Sequence, residues 1–167
     1  DGAGNCRQLS DNIREPFLHL ISEQAVPPEK SSLVKVEIKN IRELYFRLVQ
    51  ADPEVYAEKA DRIGRKEFMK YLNQYPVKQA WKQTIPSDGD FQKHSVTLAV
   101  PPVLPGFYVL LCASEESFSI EKGTLTYTPF WSTRISFISN KNDDGSMDCI
   151  ILDRETGLPM KHVKAEA

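Results

Sequence analysis

Val34-Lys35-Val36-Glu37-Ile38-Lys39-Asn40-Ile41-Arg42-Glu43-Leu44-Tyr45-Phe46-Arg47-Leu48 carries two runs in which apolar and polar residues alternate. A period of two buries one face of a strand and wets the other. Val34, Val36 and Ile38 line the dry face of a first strand, and Leu44, Phe46 and Leu48 that of a second. Asn40 interrupts them, and so short a connection implies that the two pair antiparallel.

Upstream, Asp1 to Asn5 are small and polar, and Cys6 to Arg14 has weak helical character, so residues 1–15 read as a loosely ordered lead-in. Phe17 to Val26 alternates imperfectly and stops at Pro27-Pro28, as an edge strand would. Downstream the period changes. Asp52 can cap a helix, Pro53 suits its first position, and Tyr56, Ala60, Ile63, Phe68 and Leu72 recur at three- to five-residue steps. The expectation is one inserted helix near 52–75, with a possible break at Gly64, whose aromatic stripe packs on a sheet.

After Pro76 the chain returns to β. Val77 to Ile85 holds Trp81 in a strand, and Ser87-Asp88-Gly89-Asp90 is turn chemistry. His94, Val96, Leu98 and Val100 share a face. Pro101, Pro102 and Pro105 stiffen the connection to Phe107–Ala113, which is apolar on both sides, as a central strand should be. Phe130 to Ser139 reads as one more strand with Trp131, Thr133, Ile135 and Phe137 on one side, followed by a polar linker at Asn140–Gly145. About seven short strands with regular turns predict a mainly β fold, an immunoglobulin- or fibronectin-III-like antiparallel β-sandwich.

Composition narrows function mostly by exclusion. With 167 residues and 41% hydrophobic content the chain can bury a sizeable core. Its 21 basic and 23 acidic residues are interleaved, so no long-range field favours nucleic acid or an anionic membrane. No apolar run approaches the roughly 18 residues of a membrane span. Cys6, Cys112 and Cys149 lack metal or redox spacing, and Cys112 in an apolar strand reads as a small hydrophobe. His19, His94 and His162 fall in three separate strands with no second ligand at metal spacing. His94 reads as a hydrogen-bonded histidine at the sandwich rim. Asp143, Asp144 and Asp148 could hold calcium weakly, but a solvated linker accounts for them equally well. No catalytic, cofactor or metal residue is nominated, and the expectation is a protein that is not an enzyme.

The final stretch, Asp153–Ala167 (DRETGLPMKHVKAEA), reads as a β-hairpin whose continuation is missing. Gly157 can take the positive backbone angle of the turn and Pro159 restricts the return. Two readings follow. Residues 141–167 are a linker and the first hairpin of a following, truncated sandwich domain, or residues 146–167 add strands to an edge of the present one, which spans 16–140.

Taken in order, VKVEIKNIRELYFRL (34–48), YPVKQAW (75–81), FQKHSVTL (91–98), LPGFYVLLCA (104–113), FWSTRISFI (130–138) and DRETGLPMKHV (153–163) resemble the macroglobulin domains of bacterial alpha-2-macroglobulin family proteins. That resemblance implies a non-catalytic domain of a large, extracytoplasmic protein of the periplasm or cell surface that traps or inhibits proteases. Its partners would be neighbouring domains of the same chain and, through the whole protein, proteases. The covalently acting members carry a Cys-Gly-Glu-Gln thioester. Here Arg7, Ala113 and Ile150 follow the three cysteines, so no reactive residue carries over. The alternative is an adhesion or carbohydrate-binding sandwich with Tyr45, Trp81, Tyr127 and Trp131 as a sugar platform, which would need exposed, coplanar rings on one sheet face.

Overall fold

The computed structural model describes residues 8, 11, 13–86 and 89–164. Of the expected lead-in, Gln8, Asp11, Ile13 and Arg14 are helical. Cys6, the Ser87-Asp88 half of the expected turn and the last three residues of the expected final strand lie outside the described residues.

From Phe17 on, ten strands and two helices follow one another among the described residues: β1 (Phe17–Ser22), β2 (Ala25–Val26), β3 (Ser32–Lys39), β4 (Glu43–Gln50), α1 (Pro53–Arg62), α2 (Arg65–Leu72), β5 (Val77–Thr84), β6 (His94–Val100), β7 (Gly106–Ala113), β8 (Leu125–Ser132), β9 (Ile135–Lys141) and β10 (Met147–Asp153). A three-stranded sheet runs β1-β3-β6, a five-stranded sheet runs β2-β8-β7-β4-β5, and β9 and β10 pair with each other. In immunoglobulin nomenclature β1, β3 and β6 are strands A, B and E, facing β5, β4, β7 and β8 as C′, C, F and G. The chain is a mainly β, immunoglobulin/fibronectin-III-like antiparallel sandwich.

Each layer follows from alternation. Val34, Val36 and Ile38 of β3 meet Leu44, Phe46 and Leu48 of β4 and Tyr108, Leu110 and Cys112 of β7 in the core between the sheets. The opposite side chains of the five-stranded sheet, Val49, Val109, Leu111 and Ala113, form a second core with Phe68, Met69 and Leu72 of α2. β7 is therefore apolar on both faces because it serves two cores. It lies between β4 and β8, the central position its composition predicts.

The helical insert starts as read: Asp52 Oδ1 accepts from the backbone N–H of Glu54 (2.9 Å) and Val55 (3.1 Å), with Pro53 at the start of the helix. It is two helices rather than one, because Ile63 and Gly64 both take extended backbone. Among the described residues no helix is long and apolar enough to cross a membrane.

Three expectations about pairing fail, each for a local reason. β3 and β4 are not a hairpin: they lie in different sheets and face each other across the core. Asn40 takes a left-handed backbone (φ 57), its side-chain amide donates to Ile13 O (2.9 Å), and buried Ile41 turns inward, so the connection arches between layers. The expected Phe130–Ser139 strand is two strands, β8 ending at Ser132 and β9 beginning at Ile135. Thr133 N donates to Val26 O (2.9 Å) and Thr133 Oγ1 accepts from Ile135 N (3.0 Å), a local turn that takes over from the ladder. The expected linker at Asn140–Gly145 is instead the end of β9 and the turn into β10, closed by Asn142 N to Ser146 O and Gly145 N to Asn142 O. The Phe17–Val26 run also changes sheets: β1 edges the three-stranded sheet, whereas Ala25 and Val26 pair parallel with Trp131 and Ser132 of β8.

Candidate interaction surface

The β9–β10 ribbon leaves the sandwich immediately after β8. Its register sets Phe137 opposite Ile151, Ile138 opposite Ile150 and Ser139 opposite Cys149. Residues directly opposite share a face and neighbouring pairs point to opposite faces, so Phe137 and Ile151 line one side while Ile138 and Ile150 line the other. Both sides carry apolar residues among polar ones, and several are open: Phe137 is 66% exposed, Ile138 59% and Met147 68%, while Ile151 and Leu152 are half-buried. A lone two-stranded ribbon is marginally stable in water. Neither β9 nor β10 pairs with a strand of the larger sheets among the described residues.

Beyond β10 the Asp153–Pro159 turn forms much as its chemistry suggests. Asp153 Oδ1 accepts from Glu155 N (3.1 Å), Thr156 N (2.8 Å) and Thr156 Oγ1 (2.9 Å). The backbone and hydroxyl bonds from Thr156 favour the ionised carboxylate and hold Asp153 below the ordinary aspartate range. Gly157 takes φ +71, the left-handed angle its lack of a Cβ allows. Leu158 O accepts from Asp153 N, and Met160 N donates to Ile151 O (both 2.9 Å), so the returning chain begins to cover the free edge of β10. Among the described residues the return is a single bridge, Leu152 to Pro159, rather than a strand.

The root of the ribbon is tied to the sandwich by polar contacts. Arg134 pairs with Glu29 (3.3 Å) and Lys30 with Glu155 (2.5 Å). Arg154 N donates to Arg134 O (2.7 Å), and the Arg154 guanidinium reaches Ile135 O (3.1 Å) and Ala25 O (3.5 Å). Glu29 and Lys30 belong to the loop between β2 and β3, where Glu29 N donates to Val103 O (2.8 Å). Glu29, Lys30, Arg134 and Arg154 did not stand out in the sequence, because charged residues in turns look like any solvated surface.

The residues weighed for chemistry are kept apart. His19 is exposed on β1, and His94 Nε2 hydrogen-bonds Asp90 Oδ1 (2.9 Å) at the rim, which lowers the Asp90 pKa. Asp144 accepts from Ser146 N (2.8 Å) and Ser146 Oγ (2.6 Å), while Asp148 accepts from Asn142 Nδ2 (3.1 Å). These carboxylates brace the β9–β10 turn. Among the described residues no group of three or more His, Cys, Asp and Glu could hold a metal ion. Cys112 is buried, which pushes its thiol pKa up, and Cys149 is exposed on the ribbon.

The four rings of the sugar-platform reading lie in separate places. Trp81 stacks on Phe46 beside the inter-sheet core, and Tyr127 meets Phe68 edge-on (5.5 Å) beneath α2. Tyr45 is half-buried under Lys82, and Trp131, exposed, leans on Phe107 at 5.1 Å. At the pole of the sandwich away from the ribbon, an open cleft of about 610 Å³ is lined by Arg14, Arg42, Phe91, Ser114, Glu115 and Lys122 among others. Its mixed charges converge on no single ligand chemistry.

No family model matches the sequence, and a search of curated proteins returns no match. Among solved structures the chain is similar to the CARDB domain of a Pyrococcus furiosus protein, determined in complex with di-metal ions. The identity is 11% over 71% of this chain and 88% of that one, with a TM-score of 0.39.

Proposed function

We propose that the chain is a non-catalytic sandwich module of a multidomain protein, and that β9–β10 with the Asp153–Pro159 turn is the first hairpin of a following sandwich unit. One observation carries the reading: after the last sandwich strand, β8, comes a ribbon that exposes large apolar residues on both faces and, among the described residues, pairs with neither sheet. On this reading the unit boundary falls at Thr133–Arg134. The module's work is to position its neighbour, which needs a core and a defined junction but no reactive group.

The resemblance to macroglobulin domains supports reading the whole protein as an extracytoplasmic alpha-2-macroglobulin-like protein that traps or inhibits proteases. The adhesion or sugar-binding alternative has less support, since the four candidate rings occupy separate sites rather than one face.

Hydrogen exchange tests the reading on two chains, residues 1–167 and the same chain extended by the roughly 100 residues of one further domain. The β9–β10 amides are less protected in the first than in the second. Equal exchange in both would sink the proposal. Incubation of residues 1–167 with proteases gives no stoichiometric inhibition, and clear inhibition would overturn the positioning role.

A further inference from the structure

The ribbon root holds more than the surface ion pairs. Arg134–Glu29 and Lys30–Glu155 join side chains that are all more than half exposed, and such pairs contribute little. Arg154 differs. Its Nε is buried, and its guanidinium lies between Ala25 O of the sandwich and Ile135 O at the start of the ribbon. Its own backbone N–H closes onto Arg134 O. One side chain thus touches the edge strand of the five-stranded sheet, β2, and the first strand of the ribbon, across the two-residue break at Thr133–Arg134. A planar guanidinium with donors in a fixed fork fixes direction where a flexible ammonium does not.

We propose that Arg154 is the positioning residue of a rigid joint that holds the unit following β8 at one angle to the sandwich. The inference rests on the modular reading above and adds how the orientation is set. Without a fixed joint, relative motion is the default between units linked by a short segment. Arg154 is well placed to suppress it because it is carried by the turn after β10 rather than by the connecting segment itself, so swinging the ribbon away would break its contact with Ala25 O.

The test measures the distance between spin labels on Cys149 of the ribbon and on a cysteine introduced on the outer face of β6 (Thr97→Cys), with Cys6→Ser and Cys112 left buried. The expected result is one narrow distance distribution that persists in high salt and in Glu29→Ala/Lys30→Ala. Arg154→Ala loses the narrow peak, and Arg154→Lys restores it only in part, while thermal unfolding of the sandwich remains a single transition in every variant. An unchanged distribution in Arg154→Ala overturns the proposal, as does a loss of the peak caused equally by salt or by removing the surface pairs. The extended-chain exchange experiment is independent: failure there removes the following unit, whereas failure here removes only the rigid joint.

Discussion

The Trp81 indole lies on the Phe46 ring with centroids 5.0 Å apart and planes 10° from parallel, joining edge strand β5 to the inter-sheet core. Trp81→Ala should therefore cost stability, about 2 to 3 kcal/mol for a partly buried large ring. Urea unfolding checks this. A variant that lost sugar binding but kept wild-type stability would instead make Trp81 a ligand platform.

Asp52 caps α1 through two backbone N–H groups. Asp52→Ala is expected to cost about 1 kcal/mol, and Asp52→Asn much less, because the amide oxygen can still accept. Denaturant midpoints should decrease from the parent through Asp52→Asn to Asp52→Ala.

The two described cysteines differ in burial, and so in reactivity. Cys112 is buried, which disfavours its thiolate, and Cys149 is open to solvent. A thiol reagent under native conditions should modify Cys149 quickly and leave Cys112 untouched until the protein unfolds. Fast native modification of Cys112 would mean that the inter-sheet core opens.

Asp153 has a folded pKa below its unfolded value, chiefly through the hydrogen bonds from Thr156. A depressed acid stabilises the turn above the unfolded pKa, and that contribution is lost as pH falls through the folded one. Carboxyl chemical shifts followed by NMR should give Asp153 a midpoint below the ordinary aspartate value. The Thr156 and Gly157 amides should lose protection over the same range, and Thr156→Val should move the midpoint back up.

The exposed ribbon residues should behave differently in two contexts. Phe137→Ser and Ile138→Ser are surface changes in residues 1–167 and should stay within about 0.5 kcal/mol of the parent. In the chain extended by a further domain the same substitutions should cost about 2 kcal/mol or more, since they then remove buried apolar groups. Equal, small effects in both contexts would mean that nothing covers the ribbon.

Much of the layer structure was legible because alternation is a local property. The two apolar faces of Phe107–Ala113 marked a central strand, and the period change after Asp52 marked the helical insert. Strand partners were not legible. Val34–Ile38 and Leu44–Leu48 announce their buried faces, but the same pattern suits strands side by side or strands facing across a core. The decision lay with Asn40 in a left-handed bend and Ile41 pointing inward.

The Leu125–Pro129 half of β8 was missed because its inner face is carried by Thr126 and Thr128 and its outer face includes Pro129, so it lacks an apolar run. Tyr127, flanked by those two threonines, was the available signal, as a cluster of strand-favouring residues. Arg154 could not have been singled out, because its role depends on Ala25, far away in sequence.

The parallel pairing of β2 with β8 also has a mechanical consequence. β8 is the last strand of the sandwich and β2 follows directly on its first, β1, and the two are joined through Trp131 N to Gln24 O (2.8 Å) and Thr133 N to Val26 O (2.9 Å). Once β1 has given way, tension applied through the two ends of the sandwich pulls these parallel neighbours in opposite directions along their length. Their hydrogen bonds are then loaded together in shear rather than opened one at a time, so a string of such units would yield abruptly at a threshold force instead of stretching gradually.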